Sequence, residues 1–186
     1  MLPLKEKYKK EVIPKMMEKF GYKNILAVPR IEKIICNCGF GKIISGKTSS
    51  EKEKIINTIS ELIALIAGQK PALTKARKSI ASFKLRKGTS IGFKTTLRKK
   101  KMFDFLERLI WITLPRIRDF RGIPLSLVDK KGNLTLGFKD FSAFPEIIMD
   151  KEKGIFGLEI TVVTNTNDRE KGIELLRLIG FPLKSK

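Results

Sequence analysis

From Leu62 through Phe103 the chain contains no Asp or Glu, yet it carries twelve Lys or Arg: Lys70, Lys75, Arg77, Lys78, Lys84, Arg86, Lys87, Lys94, Arg98, Lys99, Lys100 and Lys101. No acid inside the run balances these charges, which points to a surface that meets a polyanion rather than an ordinary solvated face. The remainder does not compensate, with 39 Lys plus Arg against 19 Asp plus Glu and a formal net charge of +20 over 186 residues. Self-repulsion on that scale opposes a compact state unless a polyanion offsets it. Nucleic acids and anionic membrane surfaces are the candidates. No apolar run approaches the ~18 residues of a membrane span. The start, Met1-Leu2-Pro3-Leu4-Lys5, lacks the apolar stretch of a signal peptide and the Arg- and Ser-rich character of a transit peptide. The expectation is a cytosolic protein with a nucleic-acid partner and no membrane. With 42% hydrophobic residues, the length suits one domain over 1–186 with a real core.

Periodicity supplies the elements. Leu4, Tyr8, Val12, Met16 and Phe20 recur every fourth residue, the stripe of an amphipathic helix. Pro14 kinks it and Gly21 ends it. Ile31 to Gly39 alternates as a half-buried strand, with Ile34, Cys36 and Cys38 on one face and Lys33, Ile35 and Asn37 on the other. A second helix begins near Ser50, with Glu53 completing a capping box, and closes at Gly68. Its buried face is Ile55, Ile59, Leu62, Ile63 and Ile66. Pro71 to Ser90 reads as extended and polar. Ile91 to Arg98 alternates again, with Phe93, Thr95 and Leu97 opposite Lys94, Thr96 and Arg98. A third helix covers about Lys101 to Leu114 and stops at Pro115. Strands follow at Leu134–Phe138, after a Gly132-Asn133 turn, and at Phe156–Val162. The last helix takes Asn167 and Glu170 as caps and Ile173, Leu176 and Ile179 as its apolar face, with Gly180 and Pro182 ending it. This pattern predicts an α+β fold, an antiparallel sheet with helices on one face and the other face open.

The residue types exclude much chemistry. There is no His, which removes Ser-His and Cys-His nucleophile pairs and the commonest general base. Cys36 and Cys38 fall short of the roughly four ligands of a zinc site, so they read as small buried apolar residues and no metal or other cofactor is expected. Glu146, Asp150 and Glu152 read as surface acids rather than a catalytic pair. Asp119, flanked by Arg116, Arg118 and Arg121, reads as the partner of one of these arginines, ordering a turn. One motif competes. Gly41-Lys42-Ile43-Ile44-Ser45-Gly46-Lys47-Thr48 fits G-x-x-x-x-G-K-[ST] between a strand and a helix, as a phosphate-binding loop would. Its strand, however, alternates polar and apolar, whereas such loops follow central, wholly apolar strands. A small nucleotide-phosphate enzyme using Gly41–Thr48 is therefore the second reading, behind a non-enzymatic RNA binder.

The open face carries the first reading. Lys94, Thr96 and Arg98 project from one side of their strand, and Lys33 and Asn37 from the polar side of the other. Lys and Arg neutralise phosphates, while Thr and Asn offer short directional hydrogen bonds to bases or 2′-hydroxyls. Phe40 and Phe83 are the aromatic candidates there, with core packing an equal reading for both. Few aromatic platforms favour a folded RNA over an unstructured single strand.

Taken together, these residues resemble the bacterial large-subunit ribosomal protein five family, which binds 5S ribosomal RNA. The resemblance runs from about Leu4 to Pro182. It is carried by Tyr22-Lys23-Asn24, by Val28-Pro29-Arg30-Ile31-Glu32-Lys33-Ile34 with Asn37, Gly39 and Gly41, and by Gly68-Gln69-Lys70-Pro71. Thr74 to Ala81, Phe83-Lys84-Leu85-Arg86, Ile91-Gly92, Thr96-Leu97-Arg98, Leu114 to Gly122, Gly132-Asn133, Phe144-Pro145-Glu146-Ile147 and Gly180-Phe181-Pro182 continue it. The resemblance implies a structural, non-catalytic role in the central protuberance. It implies 5S rRNA contacts at Asn37, Gln69 and Thr96 with nearby Lys33, Lys94 and Arg98. It also implies a basic loop at about 74–88 (Lys75, Arg77, Lys78, Ser79, Lys84, Arg86 and Lys87) reaching transfer RNA in the peptidyl site. The further partners implied are large-subunit rRNA, other 5S-binding ribosomal proteins and a protein of the small-subunit head, met by the segment around Gly137 to Asp150. The chain departs from the family at Lys42, where an acid is usual, in a longer stretch after it, at Lys99-Lys100-Lys101, where a glycine-containing turn is usual, and at Lys139 to Ala143.

Overall fold

The structure is a computed structural model and describes residues 3–83, 85–139, 141–147 and 156–184. The chain opens with α1 (Leu4–Lys7), a π turn (Tyr8–Val12) and α2 (Ile13–Phe20). The apolar stripe is continuous through all three, with Leu4, Val12 and Met16 buried. Pro14, at the start of α2, cannot donate the hydrogen bond that a regular helix needs, and the π turn just before it absorbs the irregularity. Gly21 then takes the left-handed conformation (φ 67°) that ends the helix.

β1 (Ile31–Gly39) follows, then α3 (Gly41–Ile44) and α4 (Ser49–Ala67). The cap of α4 is Thr48 with Glu51, not Ser50 with Glu53. The sequence satisfies the capping-box spacing at both registers, and the earlier pair makes the reciprocal bonds. Within the extended stretch Pro71–Ser90, Ala72–Lys75 forms β2, antiparallel to β3 (Ser90–Leu97), in the register Ala72↔Lys94 and Leu73↔Phe93. α5 (Lys99–Arg108) runs into a π turn (Leu109–Thr113) and a 3₁₀ turn (Leu114–Arg116) around Pro115, so a second proline is again preceded by a π turn. β4 (Leu134–Phe138), β5 (Leu158–Thr164) and α6 (Arg169–Ile179) complete the order. α6 is capped by Asp168, not Asn167, and it buries Gly172 and Leu175 beside Leu176 and Ile179. Ile173 is only half-buried.

The architecture is α+β, and the five strands form an antiparallel sheet in the order β2-β3-β1-β5-β4. Contacts divide the chain into two compact units, residues 1–34, 97–136 and 161–186 in one, 35–96 and 137–160 in the other. Every passage from one unit to the other falls inside a strand, namely β1, β3, β4 or β5. The first unit buries Met16, Leu106, Leu109, Leu134 and Leu176. The second buries Cys36, Cys38, Phe40, Ile59, Ile63 and Phe93, with Phe40 and Phe93 rings 5.2 Å apart. Cys36 and Cys38 are free, and burial pushes their thiols to about 12 and about 11, so both stay protonated and inert.

Two glycines lock the first unit. A Cβ added at Gly172 would lie 2.4 Å from the Cα of Gly132, and Gly132 itself holds φ 75°. The loop around Gly132 is built on Asp129, whose carboxylate accepts from the N–H groups of Lys131 and Asn133 (2.9 and 2.8 Å) and from the Asn133 amide (2.9 Å). Asn133 in turn accepts from the Thr164 N–H at 3.0 Å. Asp119 behaves differently from expectation. Among the described residues it makes no ion pair with Arg116, Arg118 or Arg121, and it adopts φ 55°, a left-handed turn position that a short polar side chain tolerates.

Candidate nucleic-acid interface

The candidate site is built on β1 and β3, neighbours in the sheet, chiefly on the residues of each that lie in the second unit. The Phe40 N–H donates to the Ile91 carbonyl at 2.9 Å, while Gly92 presses on Cys38. One strand ascends as the other descends. A Cβ at Gly92 would lie 2.7 Å from the Cys38 carbonyl oxygen and 3.0 Å from the Thr74 hydroxyl, so only glycine lets the backbones approach this closely.

Burial alternates as the sequence predicts. Cys36 and Cys38 on β1, and Phe93, Thr95 and Leu97 on β3, are buried, while Ile35, Asn37 and Thr96 are half-buried and Lys94 is exposed. Among the described residues, the side chains of Asn37, Lys94 and Thr96 spend no hydrogen bond or ion pair within the protein. Their donors and acceptors are free for a ligand. On the reverse face the Thr95 hydroxyl is buried without a partner. Gln69 arrives from a different element. The left-handed Gly68 (φ 65°) ends α4, and Gln69, half-buried, stands three residues before Ala72, the register partner of Lys94. Asn37, Gln69, Lys94 and Thr96 thus belong to one compact unit. Lys33, on the same polar side of β1 as Asn37, and Arg98, one residue beyond β3, belong to the other.

The basic loop is a closed arm rather than a slack one. Beyond a bulge at Thr74/Lys75, the Ala76 N–H donates to the Thr89 carbonyl (2.8 Å) and the Gly88 N–H to the Ala76 carbonyl (2.9 Å). Ile80 and Leu85 exchange two backbone bonds, at 2.9 and 3.1 Å. The Ser79 hydroxyl accepts from the Lys87 N–H at 2.9 Å, so Ser79 organises the arm. Lys75, Arg77, Lys78, Arg86 and Lys87 are on the arm, all but Arg86 and Lys87 preceding its tip, and Lys84 lies outside the described residues. At the tip, a 3₁₀ turn (Ala81–Phe83) leaves Phe83 69% exposed, whereas Phe40 is 1% exposed. The two aromatic candidates therefore separate, Phe40 into the core and Phe83 onto the surface.

The phosphate-loop motif does not form a phosphate-binding loop. Gly41–Ile44 is helical, Gly46 turns the chain at φ 81°, and Thr48 is committed to capping α4, its hydroxyl 2.8 Å from the Glu51 carboxylate. The hydrogen bonds from the Thr48 N–H and hydroxyl hold that carboxyl below the ordinary Glu range. Among the described residues, no group of acids and cysteines is placed to hold a metal ion, and no helix is long and apolar enough to cross a membrane.

Two family models match, that of ribosomal protein L5 over residues 24–86 and that of the C-terminus of the same ribosomal family over residues 90–183. The chain is 47% identical over 182 residues to the large ribosomal subunit protein uL5 of Halothermothrix orenii, covering 98% of both chains. It is 48% identical to the protein of the same name from Alkaliphilus metalliredigens and 47% identical to that from Clostridium botulinum, with the same coverage.

The chain belongs to the ribosomal protein L5 family.

Members of this family are large-subunit ribosomal proteins, and the chain is not an enzyme. That disposes of the nucleotide-enzyme reading of Gly41–Thr48, in agreement with the local geometry. Among residues the sequence did not single out for a site, Gly92 has the clearest role in this family member. A glycine inside an alternating strand was the available signal.

Proposed function

We propose that the chain is a structural constituent of the large subunit that binds 5S rRNA through the open face of β1 and β3 and helps anchor it in the central protuberance. What carries this reading is the set of side chains with unspent hydrogen-bonding capacity, Asn37, Lys94 and Thr96, in the unit that also bears the acid-free arm. Asn37, Gln69 and Thr96 would supply directional bonds to bases and 2′-hydroxyls, and Lys33, Lys94 and Arg98 would neutralise phosphates. The arm, with Lys75, Arg77, Lys78, Lys84, Arg86 and Lys87 on it and Ser79 bracing it, would extend to transfer RNA in the peptidyl site. Large-subunit rRNA and other 5S-binding proteins would be its neighbours in a cytosolic ribosome, and the segment around 137–150 would meet the small-subunit head. Of that last segment, Asp140 and 148–150 lie outside the described residues.

The test is a titration of the full chain with 5S rRNA, an unrelated structured RNA and duplex DNA over a salt series. A protein contacting ~6–10 phosphates loses roughly a thousandfold or more in affinity between ~50 and ~200 mM salt. A preference for 5S rRNA that survives the higher salt is the expected result. Equal loss on all three would reduce the basic run to an electrostatic footprint and overturn the proposal.

A further inference from the structure

A cleft of about 600 Å³ opens in the first unit where α5 begins, and of its lining residues only Arg98 belongs to the proposed 5S face. Its size falls within the range of pockets that hold small ligands. Tyr8 and Phe103 line it with ring surface, and Arg30, Glu32, Arg98 and Lys99 line it with charge. Among the described residues, none of these four charged side chains makes an ion pair or hydrogen bond within the protein. The Tyr8 hydroxyl donates to the Pro29 carbonyl at 3.0 Å, which fixes its ring.

Two local rules are broken at this cleft. The first turn of α5 is Lys99-Lys100-Lys101, with no acid and no side-chain cap at Arg98, although the positive end of a helix favours anions and disfavours cations. Lys99 also holds φ 53°, a conformation that suits glycine. An anion held in this aromatic, cation-lined cavity would offset both costs. The carboxylate narrows the ligand further. Glu32 can only accept hydrogen bonds, and guanine is the base that presents two adjacent donors on its pairing edge.

We propose that this cleft binds one unstacked guanine nucleotide, with its base against Tyr8, Phe103 and Glu32 and its phosphate on Arg98 and Lys99. The nucleotide can be a free mononucleotide or one extruded from an RNA helix, and the chemistry is the same. The cleft shares Arg98 with the proposed 5S face, but a titration with free nucleotide contains no 5S structure, so the two proposals can fail separately.

The experiment follows the methyl resonances of Met102 and Ile179, which line the cleft, in full-length chain titrated with 5′-GMP, 5′-AMP or inorganic phosphate. The methyl of Ile63, buried in the other unit, is the reference. GMP should shift Met102 and Ile179 saturably and at least about fivefold more tightly than AMP, the discrimination that one bidentate base contact supplies. Glu32→Gln should abolish that preference. Arg98→Ala should weaken both nucleotides about tenfold, as loss of a charge-assisted bond does. Both residues are exposed, and the Ile63 resonance reports whether each variant stays folded. Two RNA hairpins, alike except for a single bulged guanosine, then separate the sources. A response to the bulged hairpin alone assigns an RNA-borne nucleotide, and a response to GMP alone assigns a free one. Shifts by phosphate as large as by GMP, or no saturable shift with any of these probes, would overturn the proposal.

Discussion

The arm at residues 76–89 and the loop at residues 129–133 do the same topological job in opposite ways. Each reverses the chain between antiparallel partners, Lys75 and Ser90 for the arm, Val128 and Leu134 for the loop. The loop satisfies itself. Asp129 accepts three hydrogen bonds, Asn133 reaches Thr164, and Gly132 sits against Gly172. The arm is held by backbone bonds and one Ser79 contact, and it leaves Arg77, Lys78, Arg86, Lys87 and Phe83 exposed. A short turn that spends its polar groups internally contributes stability. A long one that leaves them unspent contributes a surface, and loops of this kind carry function.

The strongest way to break that comparison is to disturb the glycine contact under the loop. Gly172→Ala places a Cβ 2.4 Å from the Gly132 Cα, a backbone clash that no rotamer relieves. Overpacking of this kind costs about 2–3 kcal/mol even after the helix gains an alanine. Thermal denaturation should show the loss, while RNA affinity of the folded protein stays as it was. The mirror experiment neutralises the arm. Arg77→Ala, Lys78→Ala and Lys87→Ala together should leave thermal stability within about 0.5 kcal/mol, because surface changes away from contacts are usually neutral. The salt slope of RNA binding should fall by about 0.9 for each phosphate contact removed. An unchanged slope would detach the arm from RNA binding altogether.

Smaller effects sharpen the same contrast. Asn37→Ala and Thr96→Ala should each weaken 5S rRNA binding by about 1 kcal/mol, the worth of an ordinary hydrogen bond, with no change in unfolding. Asp129 predicts a pH dependence. Burial by itself would raise its carboxyl, but the hydrogen bonds from the Asn133 amide and from the Asn133 and Lys131 N–H groups, with the Lys131 charge, hold it below the ordinary Asp value. A carboxyl depressed in the folded state contributes stability above its unfolded pKa of about 3.9 and loses it as pH falls through the folded value. Acid unfolding should therefore begin below about pH 4 in part through this loop, and Asp129→Asn should flatten that limb. An identical acid limb in the variant would show that the loop does not depend on the charge.

Much of this was legible in the chain because its periodicities are clean. β1 has the predicted limits, β3 and β4 match to within a residue, and the buried set Ile34, Cys36, Cys38, Phe93 and Leu97 lies on the predicted side. Alternation alone placed Asn37 and Thr96 on the open face. The observed helix caps differ from the expected ones where the sequence offers two equivalent local solutions. Thr48/Glu51 and Ser50/Glu53 both satisfy the capping spacing, and Asn167 and Asp168 are both good caps. β2 was hidden because four residues are too few to show a period, and its pairing is set by β3. The Gly132–Gly172 contact was hidden because it joins residues far apart in the chain, which no local pattern reports. Gln69 came from the family resemblance, since a residue just past a helix end has no face for periodicity to assign.

The smallest effect tests the boundary between stability and binding most directly. Lys99 holds φ 53°, a conformation that suits glycine, and it stands at the positive end of α5. Lys99→Gly removes the cost of a side chain in the left-handed region and one cation from the helix start, against a glycine's greater entropy in the unfolded chain. The balance favours the variant by about 0.5–1 kcal/mol. The melting temperature should rise by a few degrees, about what that free energy gives in a domain of this size. If Lys99 is kept for the anion it can hold, the same variant should bind GMP more weakly, so stability and affinity would move in opposite directions. A variant that gains stability and loses no affinity would mean that the lysine is tolerated there rather than used.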